Sequence, residues 1–187
     1  MAKSLQGKRV AMLLTDGVEQ VEYEKPRKYL EERGATVELI APKKRGEKVQ
    51  GFNHLTPGSQ FTVERAVEEA RPEDYDALVL PGGVANPDQL RLSRKAVEFV
   101  SHFAQTGHPV AAICHGPWLL INAGLVSGRH LTSWPSLETD LTNAGGRWTD
   151  EPVVVDGRFI TSRKPDDIPM FNEQIEKALS RPQAAHA

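Results

Sequence analysis

The chain has 187 residues, the size of one domain, and its 39% hydrophobic and 26% charged residues suit a globular protein able to bury a core. A net charge of −2, from 23 basic and 25 acidic residues, argues against a dedicated nucleic-acid binder, and no apolar run approaches the ~18–20 residues of a membrane span. The single cysteine excludes an intrachain disulfide framework and a zinc site built on thiolates.

The N-terminus runs from Met1 through Lys8 and Arg9 without an apolar stretch of signal-peptide type, so a cytoplasmic location is expected. Arg9–Thr15 reads as a β-strand. Val21–Arg33 follows with helical spacing, closed by Gly34, and Pro26 must lie near the start of that helix or kink it. Thr36–Ala41 is a strand, and the Lys48–Phe61 stretch can supply a small antiparallel element. Thr62 can cap a helix over Val63–Ala70. Ala77–Leu80 is a buried strand, and Ser93 caps a helix through Gln105, closed by Gly107. Val110–Ile113 is a strand, Gly116–Ala123 a helix closed by Gly124, and Pro135–Ala144 a further helix. Asp156-Gly157 makes a hairpin of Val153–Thr161, Asp166–Ser180 is the last helix, and residues 181–187 read as a frayed tail. Strands alternating with helices at ~30-residue spacing imply βαβ units. The expected architecture is a single α/β domain: a three-layer α/β/α sandwich with a mostly parallel, flavodoxin-like sheet and a small antiparallel hairpin.

Ligands of such sheets bind beyond the carboxyl ends of the strands. That rim collects Asp16-Gly-Val-Glu-Gln after the first strand, Pro81-Gly-Gly after Leu80, Cys114-His-Gly-Pro after Ile113 and Ser162-Arg-Lys-Pro-Asp-Asp after the hairpin. Ala-Ala-Ile-Cys-His-Gly-Pro has the layout of a nucleophile elbow, strand then one residue then helix, with sulfur in place of the hydroxyl. The helix N-terminus beneath Cys114 favours its thiolate. The backbone N–H groups of Gly82-Gly83 can face an oxyanion. A carboxyl such as Glu19 beside Cys114 could share a proton with the sulfur, and His115 could serve as base or donor, although adjacent side chains on a turn diverge. Each feature also has an ordinary structural explanation: a buried inert thiol, a plain turn, a solvated glutamate. The histidines His54, His102, His108, His130 and His186 show no metal-ligand spacing, and there is no phosphate-binding loop.

Taken together, Ala112-Ile-Cys-His-Gly-Pro-Trp, Leu80-Pro-Gly-Gly, Asp16-Gly-Val-Glu-Gln-Val-Glu and Thr161-Ser-Arg-Lys-Pro-Asp-Asp resemble the PfpI intracellular-protease family of the ThiJ/PfpI, class I glutamine-amidotransferase-like superfamily, from about Lys8 to Ala178. The resemblance implies Cys114 as nucleophile, Glu19 as the carboxyl hydrogen-bonded to it, and His115 as the adjacent histidine. It implies the Gly83 and His115 amides as oxyanion hole, and Asp88 as an acid that completes a triad in a neighbouring subunit. It further implies a homo-oligomer, a dimer or a hexamer, acting on a small carbonyl substrate or a peptide; with the charge balance, the lack of a span and the histidine spacing, no metal, cofactor, nucleic acid or membrane is expected. Members are described as peptidases, as glyoxalases or deglycases, and as oxidative-stress proteins or holdases. The expected activity is cysteine-dependent protection against reactive carbonyls or early glycation adducts, with an intracellular cysteine peptidase and a redox sensor or holdase as alternatives.

Overall fold

A computed structural model describes residues 4–180. In chain order it comprises β1 (Arg9–Leu13), β2 (Val18–Glu19), α1 (Gln20–Glu32), β3 (Thr36–Ala41), β4 (Lys48–Asn53), β5 (Thr56–Thr62), β6 (Arg65–Ala66), β7 (Ala77–Leu80), α2 (Ala85–Leu90) and α3 (Arg94–Gln105). There follow β8 (Val110–Ile113), α4 (Pro117–Asn122), β9 (His130–Leu131), α5 (Glu138–Asn143), β10 (Arg147–Trp148), β11 (Val153–Asp156), β12 (Phe159–Ser162) and α6 (Ile168–Ser180).

The central sheet has seven strands in the order β11-β12-β8-β7-β1-β3-β6, and only the β11–β12 pair is antiparallel. Its central strands β7 and β8 are apolar throughout because both faces are covered, and period-2 alternation divides the sheet's inward side chains between two cores. Val10, Met12, Val79 and Ile113 pack with Leu30 of α1 and Phe171 and Ile175 of α6. Ala11, Leu13, Leu78 and Leu80 pack on the opposite face with Phe99 and Phe103 of α3 and Leu119 of α4. Ser93 caps α3 as expected, its Oγ accepting from Ala96 N–H at 3.2 Å. The Lys48–Phe61 stretch does form an antiparallel hairpin, β4–β5, joined in parallel to β2.

Four local expectations are corrected. Residues 63–70 are not a helix: Thr62 ends β5, Arg65–Ala66 extend the main sheet against Ile40 and Ala41, and only Val67–Glu69 turn, as one 3-10 turn. Pairing with the open edge of β3 outweighs the local helical preference. Pro135–Ala144 splits into a 3-10 turn at Pro135–Leu137 and α5, and the last helix is likewise preceded by a 3-10 turn at Pro165–Asp167. Pro26 lies in the interior of α1, buried, where it removes one helical hydrogen bond. Residues 181–187, read as a tail, lie outside the described residues. No described helix is long and apolar enough to cross a membrane.

Candidate active site

Four chain segments meet at the carboxyl edge of the sheet, and β8 delivers the sulfur. Cys114 follows Ile113 directly and has φ +61°, in the left-handed region that a non-glycine residue rarely occupies. Its backbone is held there on both sides: its N–H donates to Ser162 O at 3.0 Å and its carbonyl accepts from Trp134 N–H at 2.9 Å. The chain then turns into α4 with Pro117 in the first turn. The elbow read from the sequence is therefore present, with Cys114 6% exposed at the bottom of a cavity of about 590 Å³.

The carboxyl beside this sulfur is Glu22, not Glu19. Glu22 is completely buried; its Oε2 accepts from Gly82 N–H at 2.7 Å, its other oxygen meets no N or O donor among the described residues, and its carboxyl interacts with the Cys114 side chain. Glu19 lines the same cavity nearer its mouth, where its carboxylate accepts from His54 N–H at 3.1 Å. The reason is where the helix starts. Glu19 has extended backbone and belongs to β2, whereas Glu22 is the third residue of α1 and shares its inward face with Pro26 and Leu30, four and eight residues on. That i, i+4, i+8 spacing is the signal in the sequence that would have pointed to Glu22 instead of Glu19.

Glu22 and Cys114 share one environment. Burial raises the Glu22 carboxyl to about 8, against the hydrogen bond from Gly82 that favours its charged form. Burial and the neighbouring Glu22 also push the Cys114 thiol up, while the N–H groups of Gly83 and His115, both directed at the sulfur, pull it down. The net direction is upward, so the expected favouring of the thiolate by the helix N-terminus is corrected: burial outweighs the N–H groups, and a charged Glu22 would raise the thiol further.

Gly82 and Gly83 are required by contact. A Cβ on Gly82 would lie 2.6 Å from Glu22 Oε2 and 2.7 Å from Cys114 Cβ; one on Gly83, at φ +81°, would lie 2.3 Å from Gly17 O. The sequence did not reveal what holds this loop, the fully buried Asn86 of α2. Its Oδ1 accepts from Thr15 N–H at 2.7 Å, and its Nδ2 donates to Pro81 O and Gly82 O at 3.0 Å each, tying the loop after β1 to the loop after β7.

His115 does reach its neighbour: Nδ1 lies 3.3 Å from Cys114 Sγ. The ring is buried between Trp134, stacked at 5.9 Å, and Trp118, edge-on at 5.4 Å, and burial lowers its pKa to about 4. Near neutral pH it is a neutral imidazole. Asp88, in the first turn of α2, is exposed, and its carboxylate pairs with Arg91 at 2.7 Å. It does not line the cavity of its own chain. Arg91 in turn lies over the Trp118 ring at 4.6 Å. No group of three or more candidate metal ligands occurs among the described residues.

The family model described as DJ-1/PfpI family matches residues 8–178. A deglycase of Pyrococcus abyssi is 44% identical over 91% of this chain and 99% of its own length. General stress protein 18 of Bacillus subtilis is 41% identical over 94% of this chain and 99% of its own length. Among solved structures, a two-domain protein of Anabaena variabilis with DJ-1/ThiJ/PfpI-like and ferritin-like domains superposes with a TM-score of 0.87 at 33% identity, over 96% of this chain and 52% of that one. Drosophila melanogaster DJ-1beta superposes with a TM-score of 0.83 at 28% identity, over 92% of this chain and 90% of its own. With its strained cysteine elbow, glycine pair and buried glutamate set on this sheet, the chain belongs to the DJ-1/PfpI family.

Proposed function

We propose that the protein is a cysteine-dependent stress-protection enzyme that acts on reactive carbonyls or early glycation adducts. The observation that carries this reading is Cys114 itself: a thiol on strained backbone at the floor of a cavity, with a proton-holding carboxyl and two backbone N–H groups on its sulfur. The names of the Pyrococcus and Bacillus relatives, a deglycase and a general stress protein, point the same way.

In this mechanism the Cys114 thiolate adds to the aldehyde carbon of an α-oxoaldehyde, and the oxygen that becomes negative is taken up by the Gly83 and His115 N–H groups. The hydrogen on that carbon then moves as a proton to the neighbouring carbon, leaving a thioester of a 2-hydroxy acid. Water cleaves the thioester and restores the thiol. The first carbon is oxidised as the second is reduced, so the sum is addition of one water with no external oxidant. Glu22 and the neutral His115 imidazole are the groups at the sulfur that can carry the protons.

Methylglyoxal consumption and cleavage of unfolded casein, measured side by side, test the reading. Methylglyoxal turnover is expected in the wild type and a loss of roughly 10³-fold in Cys114→Ala. Cysteine-dependent casein cleavage without methylglyoxal turnover would make the protein a peptidase; persistence of both activities in Cys114→Ala would remove the cysteine mechanism.

Asp88 enters only through assembly. In a symmetric dimer or a trimer of dimers the exposed first turn of α2 could approach a neighbour's His115. Light scattering at micromolar protein should give a multiple of the chain mass; a monomer would leave Asp88 as the partner of Arg91 alone.

A further inference from the structure

The charge of the cavity is one-sided. Its ionisable lining groups are Glu19, Glu22, His54, Cys114 and His115, and among the described residues no lysine or arginine contributes to it. The cations on adjoining segments are engaged elsewhere: Lys43 with Asp16 at 2.6 Å, Arg163 with Asp150 and Asp167 at 2.9 Å, and Lys164 with Asp166 at 3.9 Å. Glu22 is buried at the sulfur, inside the reacting centre. Glu19 sits nearer the mouth, half-buried, and its carboxylate receives a single described hydrogen-bond donor, the His54 N–H, at 3.1 Å to one oxygen and 3.5 Å to the other. Trp134, 36% exposed, lines the same cavity. A carboxylate with unfilled acceptor capacity and an indole at one cavity mouth form a receptor for positive charge, through ion pairing and a cation–π contact. The same mouth repels a carboxylate, the more so when the thiolate is formed below it.

We propose that Glu19 is a specificity-determining residue, which together with Trp134 selects carbonyl substrates bearing a guanidinium or ammonium group and rejects those bearing a carboxylate. This rests on Cys114 being the nucleophile of the proposed reaction, and it gives Glu19 a task other than the proton sharing expected of it from the sequence. It also separates the two glutamates of one short segment: Glu22 manages the proton on sulfur, and Glu19 reads the part of the substrate that does not react.

Three matched probes test it: phenylglyoxal and its para-trimethylammonio and para-carboxylate derivatives. Because the substituents also change intrinsic reactivity, the quantity read is the cationic-to-anionic ratio of kcat/KM in the wild type against the same ratio in Glu19→Gln and Glu19→Lys. The ratio should fall about tenfold in Glu19→Gln and further in Glu19→Lys. Trp134→Leu should lower the ratio by a smaller factor. A ratio that is the same in all the variants overturns the proposal. Binding is read separately, as protection of Cys114 from iodoacetamide by phenyltrimethylammonium and by benzoate. Protection by the cation, weakened in Glu19→Lys, supports the charge selection even if no probe is turned over, in which case the enzymatic reading fails by itself. Equal protection by both ions, or better protection by benzoate, overturns it.

Discussion

The elbow at Cys114 and the hairpin tip at His54-Leu55 border the same cavity, and they are held by opposite means. The elbow is locked from every side: main-chain hydrogen bonds to Ser162 and Trp134, the buried Asn86 tying the facing loop, and glycines with no room for a methyl group. The hairpin tip stands in solvent, with His54 at φ +55° and Leu55 94% exposed, and is joined to the domain through Glu19 and through Gln20, which contacts Ser59. Chemistry that depends on the position of one sulfur and its proton sits on the part of the fold that cannot move without breaking several contacts. Substrate choice falls to the rim, where side chains can change at little cost to the fold.

The sharpest break in this comparison is Gly82→Ala. The added methyl group meets the Glu22 carboxyl and Cys114 Cβ together, and neither can retreat from a buried site. A loss of about 2–3 kcal/mol in unfolding free energy is expected, with a fall in Cys114 alkylation by iodoacetamide; urea unfolding and intact mass measure the two.

Next comes the pH dependence set by Glu22. Its carboxyl is raised on folding, so its contribution to stability is complete below the ordinary carboxylate range and disappears as pH rises through about 8. His115 is shifted down, to about 4, and its contribution is lost on the acid side instead, below the ordinary histidine range. Between pH 6.5 and 8 the slope therefore belongs mainly to Glu22. The wild type should lose on the order of 1–2 kcal/mol across that interval, and Glu22→Gln should remain nearly flat. Thermal unfolding at a series of pH values checks this, and parallel slopes for the two proteins would remove Glu22 as the group responsible.

The smallest effect is expected at the hairpin. Leu55→Ser removes a side chain with almost nothing around it, so stability should change by less than ~0.5 kcal/mol. A larger loss would mean that this tip is packed in the assembled protein.

Much of the scaffold was legible in the sequence because it follows from local periodicity. Continuous apolar runs at Val110–Ile113 and Ala77–Leu80 could only be strands covered on both faces, and Ser93 and Gly107 delimited a helix by short-range rules. The Cys-His-Gly-Pro elbow was legible for the same reason, since strand, turn and helix are adjacent in the chain. What failed locally failed to non-local pairing: Arg65–Ala66 joined the edge of β3 some twenty-five residues earlier in the chain, as the Ile40–Arg65 partnership records.

The sequence by itself determined the sheet, the elbow and the presence of a carboxyl in the Asp16-Gly-Val-Glu-Gln-Val-Glu segment. Only the tertiary structure decided which carboxyl. Glu19 and Glu22 have the same chemistry and lie three residues apart, but α1 begins between them, at Gln20. That boundary turns Glu22 under Gly82 and leaves Glu19 facing His54. The same holds for Asn86, an unremarkable residue in the chain whose side chain joins Thr15 to Pro81 and Gly82 across segments up to 71 residues apart. A carboxyl acquires a raised pKa, and an amide a positioning role, from burial and from partners distant in sequence, and neither is encoded in spacing.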